Sequence, residues 1–288
     1  MRLLFAASLF SFSFASTAIA DDGKLFLSGS TTLIPIVSNA AEAFTNQYQT
    51  WDQFDPSLPA QDIVIETSGG GSGQGVRAVM DNVADAGMVS RELRPQEIEA
   101  LGDHQAVRVG IDAVAIAAHQ DNPLHTQHDN LDTDTLKALF SGEINRYQQL
   151  DGNLPDQEVV LLVRDSSAGS AVMIQRQILG DTPVSNNALQ MSSQGQLLRT
   201  LMGNAYTFAY ISAGLVNAND ELKAFAVNGV APTQANVVSG DYTLARPMLI
   251  VYRDSDDVYL AAFMRYLLSS EGQKVVTDLG YIPVKADQ

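Results

Sequence analysis

The sequence predicts a doubly wound α/β fold, and three observations carry that expectation. Short apolar runs alternate with helix-spaced apolar sets along the chain, the pattern of strands joined by helices. The run Val159-Val160-Leu161-Leu162-Val163 is apolar at every position, as a parallel strand covered on both faces requires. The third is Glu66-Thr67-Ser68-Gly69-Gly70-Gly71-Ser72-Gly73-Gln74-Gly75-Val76, set between apolar Ile63-Val64-Ile65 and the helix-spaced Val76, Val79, Met80 and Val83. A strand that empties through glycine into a helix start leaves several backbone N–H groups unpaired and pointing one way. Such a turn cradles an anion. A flexible Gly/Ser linker would lack the strand before it and the helix after it.

The other elements follow in order. Lys24-Leu25-Phe26-Leu27 reads as a strand ending in Ser28-Gly29-Ser30-Thr31-Thr32, with Leu33, Ile36, Val37, Ala40, Ala41 and Phe44 next at helical spacing. Pro35 is harmless there if Thr31 or Thr32 caps the helix, because a first-turn N–H has no internal partner. Residues 46–61, with Trp51, Pro56 and Pro59, read as a loop, and 84–91 as a short strand running into a turn. Residues 105–119, largely β-branched and alanine, read as a long buried strand, 133–139 as a helix and 140–144 as a turn. The strand at 159–163 delivers Arg164-Asp165-Ser166-Ser167-Ala168-Gly169-Ser170 and then a helix through Leu179. Residues 197–202 read as a helix, 207–211, 222–227 and 248–252 as strands, and 258–268 and 272–279 as closing helices. Ligands of such folds bind at the carboxyl ends of strands, where helix N-termini face a crevice.

Composition bounds the function. Residues 1–20 read as a cleaved secretory signal: Arg2, an apolar stretch from Leu3 to Phe14 broken only by serines, and the small-x-small site Ala18-Ile19-Ala20. The chain has no cysteine, so neither a lipid-anchored cysteine nor a disulfide framework is expected, and the periplasm is the expected location. Removing the signal leaves 268 of 288 residues, enough for one large domain or two of about 130. The signal holds one basic and no acidic residue, so its loss takes the net charge from −16 to −17. That charge argues against nucleic acid, anionic membrane or polyanion partners. It does not exclude a small buried anion, since surface charges beyond about 8–10 Å are screened while local donors act at contact.

Four blocks in this order resemble the phosphate-binding proteins of ABC-type phosphate uptake systems, the small periplasmic-binding-protein class. They are Gly29-Ser30-Thr31-Thr32; the Gly-rich turn with Asp85-Ala86-Gly87-Met88-Val89-Ser90-Arg91-Glu92-Leu93; Phe140-Ser141-Gly142-Glu143-Ile144 with residues 164–170; and a tail of residues 239–247, 270–274 and 280–283. The resemblance covers essentially the whole mature chain. It implies a type II periplasmic-binding-protein fold, two α/β lobes with a central cleft and two hinge crossings. Lobe one is expected at 21–112 plus 246–288 and lobe two at 113–245, with crossings near Asp112-Ala113 and Arg246-Pro247. The implied partners are inorganic phosphate and the ABC permease subunits in the membrane, with the receptor a monomer that needs no cofactor.

The resemblance also implies a site. Thr31 and Thr32 match its first anion-binding turn, Ser72 and Gly73 the Gly-rich loop, and Ser90 the turn after the third strand. Arg164 matches an arginine from lobe two, whose guanidinium holds two ligand oxygens at once and keeps its charge. Ala168, Gly169 and Ser170 match the helix start that follows. Arg91 reaches either the anion or an internal ion pair. Ala168 stands where relatives carry serine, and Ser90 where some carry an aspartate that accepts the proton of hydrogen phosphate. Asp165, Asp112 and Glu66 are the carboxylates near enough in sequence to substitute. The alternatives are a receptor for sulfate, molybdate or tungstate, or an exported phosphatase-type hydrolase. Against the hydrolase, the chain has no cysteine nucleophile, no G-x-S-x-G and no H-E-x-x-H. His125, His128 and Asp129 have metal-compatible spacing, but they sit in a polar stretch beside Pro123, and neither a metal nor a catalytic residue is expected.

Overall fold

The computed structural model describes residues 23–253 and 257–284; the secretion signal expected at 1–20 lies outside them. Eleven strands are present among these residues: β1 Lys24–Gly29, β2 Val64–Gly69, β3 Ala86–Val89, β4 His104–His119, β5 Asn130–Leu131, β6 Val160–Arg164, β7 Leu189–Met191, β8 Thr207–Ser212, β9 Leu222–Val227, β10 Ala245–Arg253 and β11 Ile282–Pro283. The α-helices are α1 Ile34–Tyr48, α2 Trp51–Phe54, α3 Ser72–Met80, α4 Pro95–Leu101, α5 Thr133–Ser141, α6 Tyr147–Leu150, α7 Gly169–Ile174, α8 Gln194–Met202, α9 Ala213–Asn217, α10 Gln234–Ser239, α11 Val258–Leu268 and α12 Ser270–Asp278.

The strands run in the order β2-β1-β3-β10-β4-β8-β6-β7, with β9 also paired to β4. β1, β2 and β3 are mutually parallel, and so are β6, β7 and β8. The sequence pattern, strand then helix, supports that parallel majority. β10 and β4 run antiparallel to their neighbours and to each other. At sixteen residues β4 spans about 50 Å. Its first half pairs with β10, its second half with β8 and β9. The chain therefore crosses from one half of the molecule to the other along β4 and returns along β10, and Asp112 and Arg246 face each other as cross-strand partners at the junction.

Apolar packing divides the same way. One cluster joins Leu25, Phe44, Trp51, Met88, Val109, Met248 and Phe263; the other joins Val114, Ile116, Phe140, Leu162, Phe208, Phe225 and Leu244, with Ile282 of the tail reaching across to it. Among the described residues no helix is long and apolar enough to cross a membrane.

Several local expectations need correction. Residues 46–61 are not a plain loop: α1 continues to Tyr48, and α2 forms because Trp51 is buried against Phe44, ring centroids 5.7 Å apart, with Nε1 donating to Gly23 O at 2.9 Å. Neither Thr31 nor Thr32 caps α1. The cap position is Leu33, without a side-chain bond, and it is Ser30 Oγ that accepts from Thr32 N at 3.3 Å. The turn expected at 140–144 begins later, since buried Phe140 stays helical and Gly142 closes α5 in the left-handed region at φ 81°. The helix expected through Leu179 changes character: α7 gives way to a π turn at Gln175–Leu179.

His125 has left the expected polar stretch and stacks on Phe225, centroids 4.3 Å apart. Burial, then the nearby Lys223 charge, push its pKa down to about 4. An unfolded histidine titrates near 6.5, so the folded state disfavours the proton. The stabilising contribution of the neutral ring is complete above about pH 6.5 and is lost as pH falls towards 4. We expect thermal denaturation at pH 7 and pH 5 to show a smaller acid loss of stability in His125→Phe than in the wild type.

Candidate anion site

Three strand ends, of β1, β3 and β6, and three helix starts, of α3, α7 and α8, meet at the junction of the two halves. On the first side, β1, α3 and β3 approach so closely that only glycine fits: a Cβ on Gly29 would lie 2.4 Å from Met88 O, and one on Gly75 would lie 2.7 Å from the same oxygen. This packing brings the ends of β1 and β3 and the start of α3 together. Ser30 Oγ donates to Ser90 Oγ at 2.8 Å, Ser72 Oγ lies 3.2 Å from Ser90 Oγ, and Ser90 N donates to Ser72 Oγ at 3.0 Å. All three serines are buried.

Arg246, on β10, completes this cluster. Its Nη1 donates to Ser90 Oγ at 3.0 Å and its Nη2 to Thr32 Oγ1 at 3.1 Å. Asp112 on β4 holds the guanidinium from behind, Oδ2 accepting from Nε at 2.9 Å and from Nη2 at 2.7 Å, while Oδ1 accepts from Ser212 Oγ at 2.6 Å. The ion pair is 2% and 0% exposed, so its geometry is fixed by desolvation: neither charge has water to turn to.

The second side closes over the first. A Cβ on Gly169, the first residue of α7, would lie 2.3 Å from Ser90 O. Ser167 Oγ donates to Gly70 O at 3.0 Å, and Gly73 N donates to Ser167 O at 3.3 Å. Gln194 at the start of α8 reaches back, its N donating to Thr31 Oγ1 at 3.3 Å and its Nε2 lying 3.5 Å from Thr32 Oγ1. Arg164, at the end of β6, donates through Nε to Met191 O at 2.9 Å and through Nη2 to Ser192 O at 3.1 Å and Asp165 Oδ2 at 3.2 Å. Burial lowers its pKa, Asp165 opposes that shift, and the charge of Arg246 adds to it; two like charges are thus held near each other. Burial also pushes the Tyr210 hydroxyl, which accepts from Arg164 N at 2.9 Å, up to about 12.

Thr31, Thr32, Ser72, Gly73, Ser90, Ala168 and Gly169 therefore lie at one seam, with Ser170 next in the chain. Arg164 stands on its second-side flank, tied to the carbonyls just before α8. Arg91 does not turn inwards: Glu97 accepts from it at 2.7 Å twice. Two buried polar atoms at the seam, Ser170 Oγ and Gln194 Oε1, have no hydrogen-bond partner among the described residues. Buried polar groups are almost always paired, so these two mark room for a polar ligand.

The sequence places Arg246 and Asp112 at the hinge crossings, with Asp112 also among the three carboxylates near enough to substitute at the site, and it gives Gln194, Ser30 and Ser167 no role. One signal was available. A single carboxylate inside Ile111-Asp112-Ala113-Val114-Ala115-Ile116 must find a cation once buried, and Arg246 before Pro247-Met248-Leu249-Ile250-Val251 needs an anion for the same reason. Nothing in the polar run 192–196 singles out Gln194.

Comparison with known proteins agrees with this architecture. A family model described as the PBP superfamily domain matches residues 15–271. The phosphate-binding protein PstS of Bacillus subtilis is 28% identical over 267 residues, covering 91% of this chain and 81% of the relative. PstS of Borreliella burgdorferi is 25% identical over 225 residues, 75% of this chain and 78% of the relative. Among solved structures, a Clostridium perfringens protein described as a phosphate ABC transporter substrate-binding protein with bound phosphate superposes with a TM-score of 0.78 at 28% identity, covering 91% of this chain and all of that one (100%). An ABC-type phosphate transport receptor from Vibrio cholerae gives 0.69 at 25% identity, with 90% and 100% coverage. The α/β fold with two crossing strands, the match over most of the chain and the polar seam at the crossing together show that the chain belongs to the PBP superfamily.

Proposed function

We propose that the protein is an exported solute receptor that captures inorganic phosphate between two lobes, 21–112 with 246–288 and 113–245, and delivers it to an ABC-type permease. The observation that carries this reading is the pair of orphaned buried atoms, Ser170 Oγ and Gln194 Oε1, at a seam where Arg246, Thr32 and Ser90 already converge. Thr31, Thr32, Ser72 and Ser90 hydroxyls, the N–H groups at Gly73, Ala168, Gly169 and Ser170, and the guanidinium of Arg164 supply donors from both sides. Each hydrogen bond to a charged oxygen contributes ~1.5–3 kcal/mol and a helix start ~0.3–2. About six of them, less desolvation and closure, reach the ~8 kcal/mol of micromolar binding. Closure excludes water and strengthens each contact, and the closed shape is what a permease distinguishes from the open one.

The role is capture rather than turnover. The seam serines bond to one another and to arginine, an arrangement that holds an oxyanion and activates no nucleophile. Selectivity for phosphate needs an acceptor for its proton, which sulfate lacks near neutral pH. Asp112 is occupied on both oxygens; Asp165 accepts from Ser167 and Arg164; Glu66 is exposed on β2. Gln194 Oε1 is the buried acceptor left over, and it takes that role. Titration of the mature protein with phosphate, sulfate and molybdate at pH 6 and pH 8 tests the reading. Phosphate is expected to bind one to one and to be preferred at both pH values; equal affinity for sulfate would assign the seam to tetrahedral oxyanions in general.

The contact between Gly169 and Ser90 makes a second expectation. Gly169→Ala places a methyl where the Ser90 carbonyl sits, so closure is blocked while each lobe packs as before. Phosphate affinity is expected to fall by at least tenfold with the melting temperature of the phosphate-free protein unchanged, which calorimetry measures on one sample.

A further inference from the structure

A cavity of about 450 Å³ lies where residues 91–95 face α7, the π turn and the start of β10. Its walls include Gly169 and Arg246, both in contact range of Ser90, so it opens onto the seam. Its lining carries four guanidinium groups, from Arg91, Arg94, Arg176 and Arg246, against one carboxylate, Glu92. That is the reverse of the chain as a whole, whose net charge is −16.

Two of the four are neutralised in place, Arg91 by Glu97 and Arg246 by Asp112. Arg94 and Arg176 are exposed, and among the described residues neither has a carboxylate within ion-pair distance. The acidic groups nearby are held by other partners: Glu97 accepts from Arg91 on both oxygens and from Arg94 only through its backbone N at 2.9 Å, although it still feels the Arg94 charge, and Glu92 leans towards Arg108 at 3.8 Å. Arg94 and Arg176 also share the wall of an adjoining cavity of about 460 Å³ that reaches Arg164. They approach from opposite sides of the seam, Arg94 just before α4 and Arg176 from the π turn that continues α7. A π turn inside a helix is uncommon and recurs at functional sites.

We propose that Arg94 and Arg176 form an outer anion site, which gathers inorganic phosphate at the mouth of the cleft before it passes to the inner seam. The inference rests on the phosphate reading above and adds a kinetic role to it. An anion approaching this acidic exterior is repelled until it comes within about 10 Å of a local charge, where the arginines dominate. Low-dielectric walls on both sides concentrate their field. Rim charges of this kind act on the association rate and its salt dependence, and little on dissociation.

Stopped-flow binding of inorganic phosphate tests this directly. The chain has no other cysteine, so a dye on Gln96→Cys, at the exposed rim, reports closure in the wild-type background and in the double variant Arg94→Gln/Arg176→Gln. At about 0.01 M ionic strength the variant is expected to associate roughly five- to tenfold more slowly, narrowing to less than about twofold at 0.5 M, with dissociation unchanged. A control pair, Arg265→Gln/Lys274→Gln, makes the same change in net charge on α11 and α12 and is expected to leave the rate within about twofold. An unchanged association rate in the Arg94/Arg176 variant, a loss confined to dissociation, or equal slowing in the control pair would overturn the proposal while phosphate binding itself stands. Absence of any phosphate binding by the wild type would overturn both.

Discussion

Arg246→Ala is expected to abolish measurable phosphate binding and to lower stability by about 3–5 kcal/mol. The two effects have one origin. Arg246 is the link between the hinge and the seam: Asp112 holds one edge of its guanidinium, while Thr32 and Ser90 receive its remaining donors. Truncation leaves Asp112, which is wholly buried, with only Ser212 as a side-chain donor among the described residues. It also frees Thr32 and Ser90 from the group that fixes them. Adding Asp112→Asn to Arg246→Ala removes the stranded charge and is expected to recover part of the stability and none of the binding. Chemical denaturation and calorimetric titration on the three proteins separate these terms. Full binding in Arg246→Ala would show that the guanidinium acts only as hinge structure.

Arg164→Ala is expected to reduce phosphate affinity by at least a hundredfold while the fold persists. Its backbone bond to Tyr210 is independent of the side chain, and its three side-chain acceptors lie in one loop region and its own neighbour, Asp165. The loss of stability should therefore stay near 1–3 kcal/mol. Part of the affinity loss is indirect, because Met191 and Ser192 carbonyls anchor the approach to α8 and so place Gln194. Arg164→Lys keeps a charge and loses the planar fork, so an intermediate affinity is expected. Circular dichroism confirms folding and titration reads affinity; unchanged affinity in Arg164→Ala would remove the residue from the site.

Much of this was legible before any coordinates. Strand runs such as 222–227 and the helix at 258–268 have the observed bounds because their periodicity and flanking turn residues agree. The seam's first side was readable as well, since the Gly-rich turn at 68–75 and the block Gly29-Ser30-Thr31-Thr32 each stand where a strand empties into a helix. What was not readable is non-local. α2 exists because Trp51 packs on Phe44 and reaches Gly23; nothing within 46–61 announces it. Arg246 and Asp112 are 134 positions apart and become partners only because β10 pairs with β4. The π turn at 175–179 leaves no mark in composition, although it aims Arg176 at the mouth. Gln194 looks like any polar residue of its run until the orphaned Oε1 beside Thr32 is seen.

The most direct test of the account is a crystal structure of the mature protein grown with phosphate. One tetrahedral anion is expected at the seam, with oxygens within about 2.7–3.2 Å of donors on Thr32, Ser90 and Arg246 from one side and of the Gly169 and Ser170 amides from the other. The Ser170 hydroxyl and Gln194 Oε1 should each gain the partner they lack. Phosphate bound at one half alone, or away from the β4–β10 crossing, would contradict it.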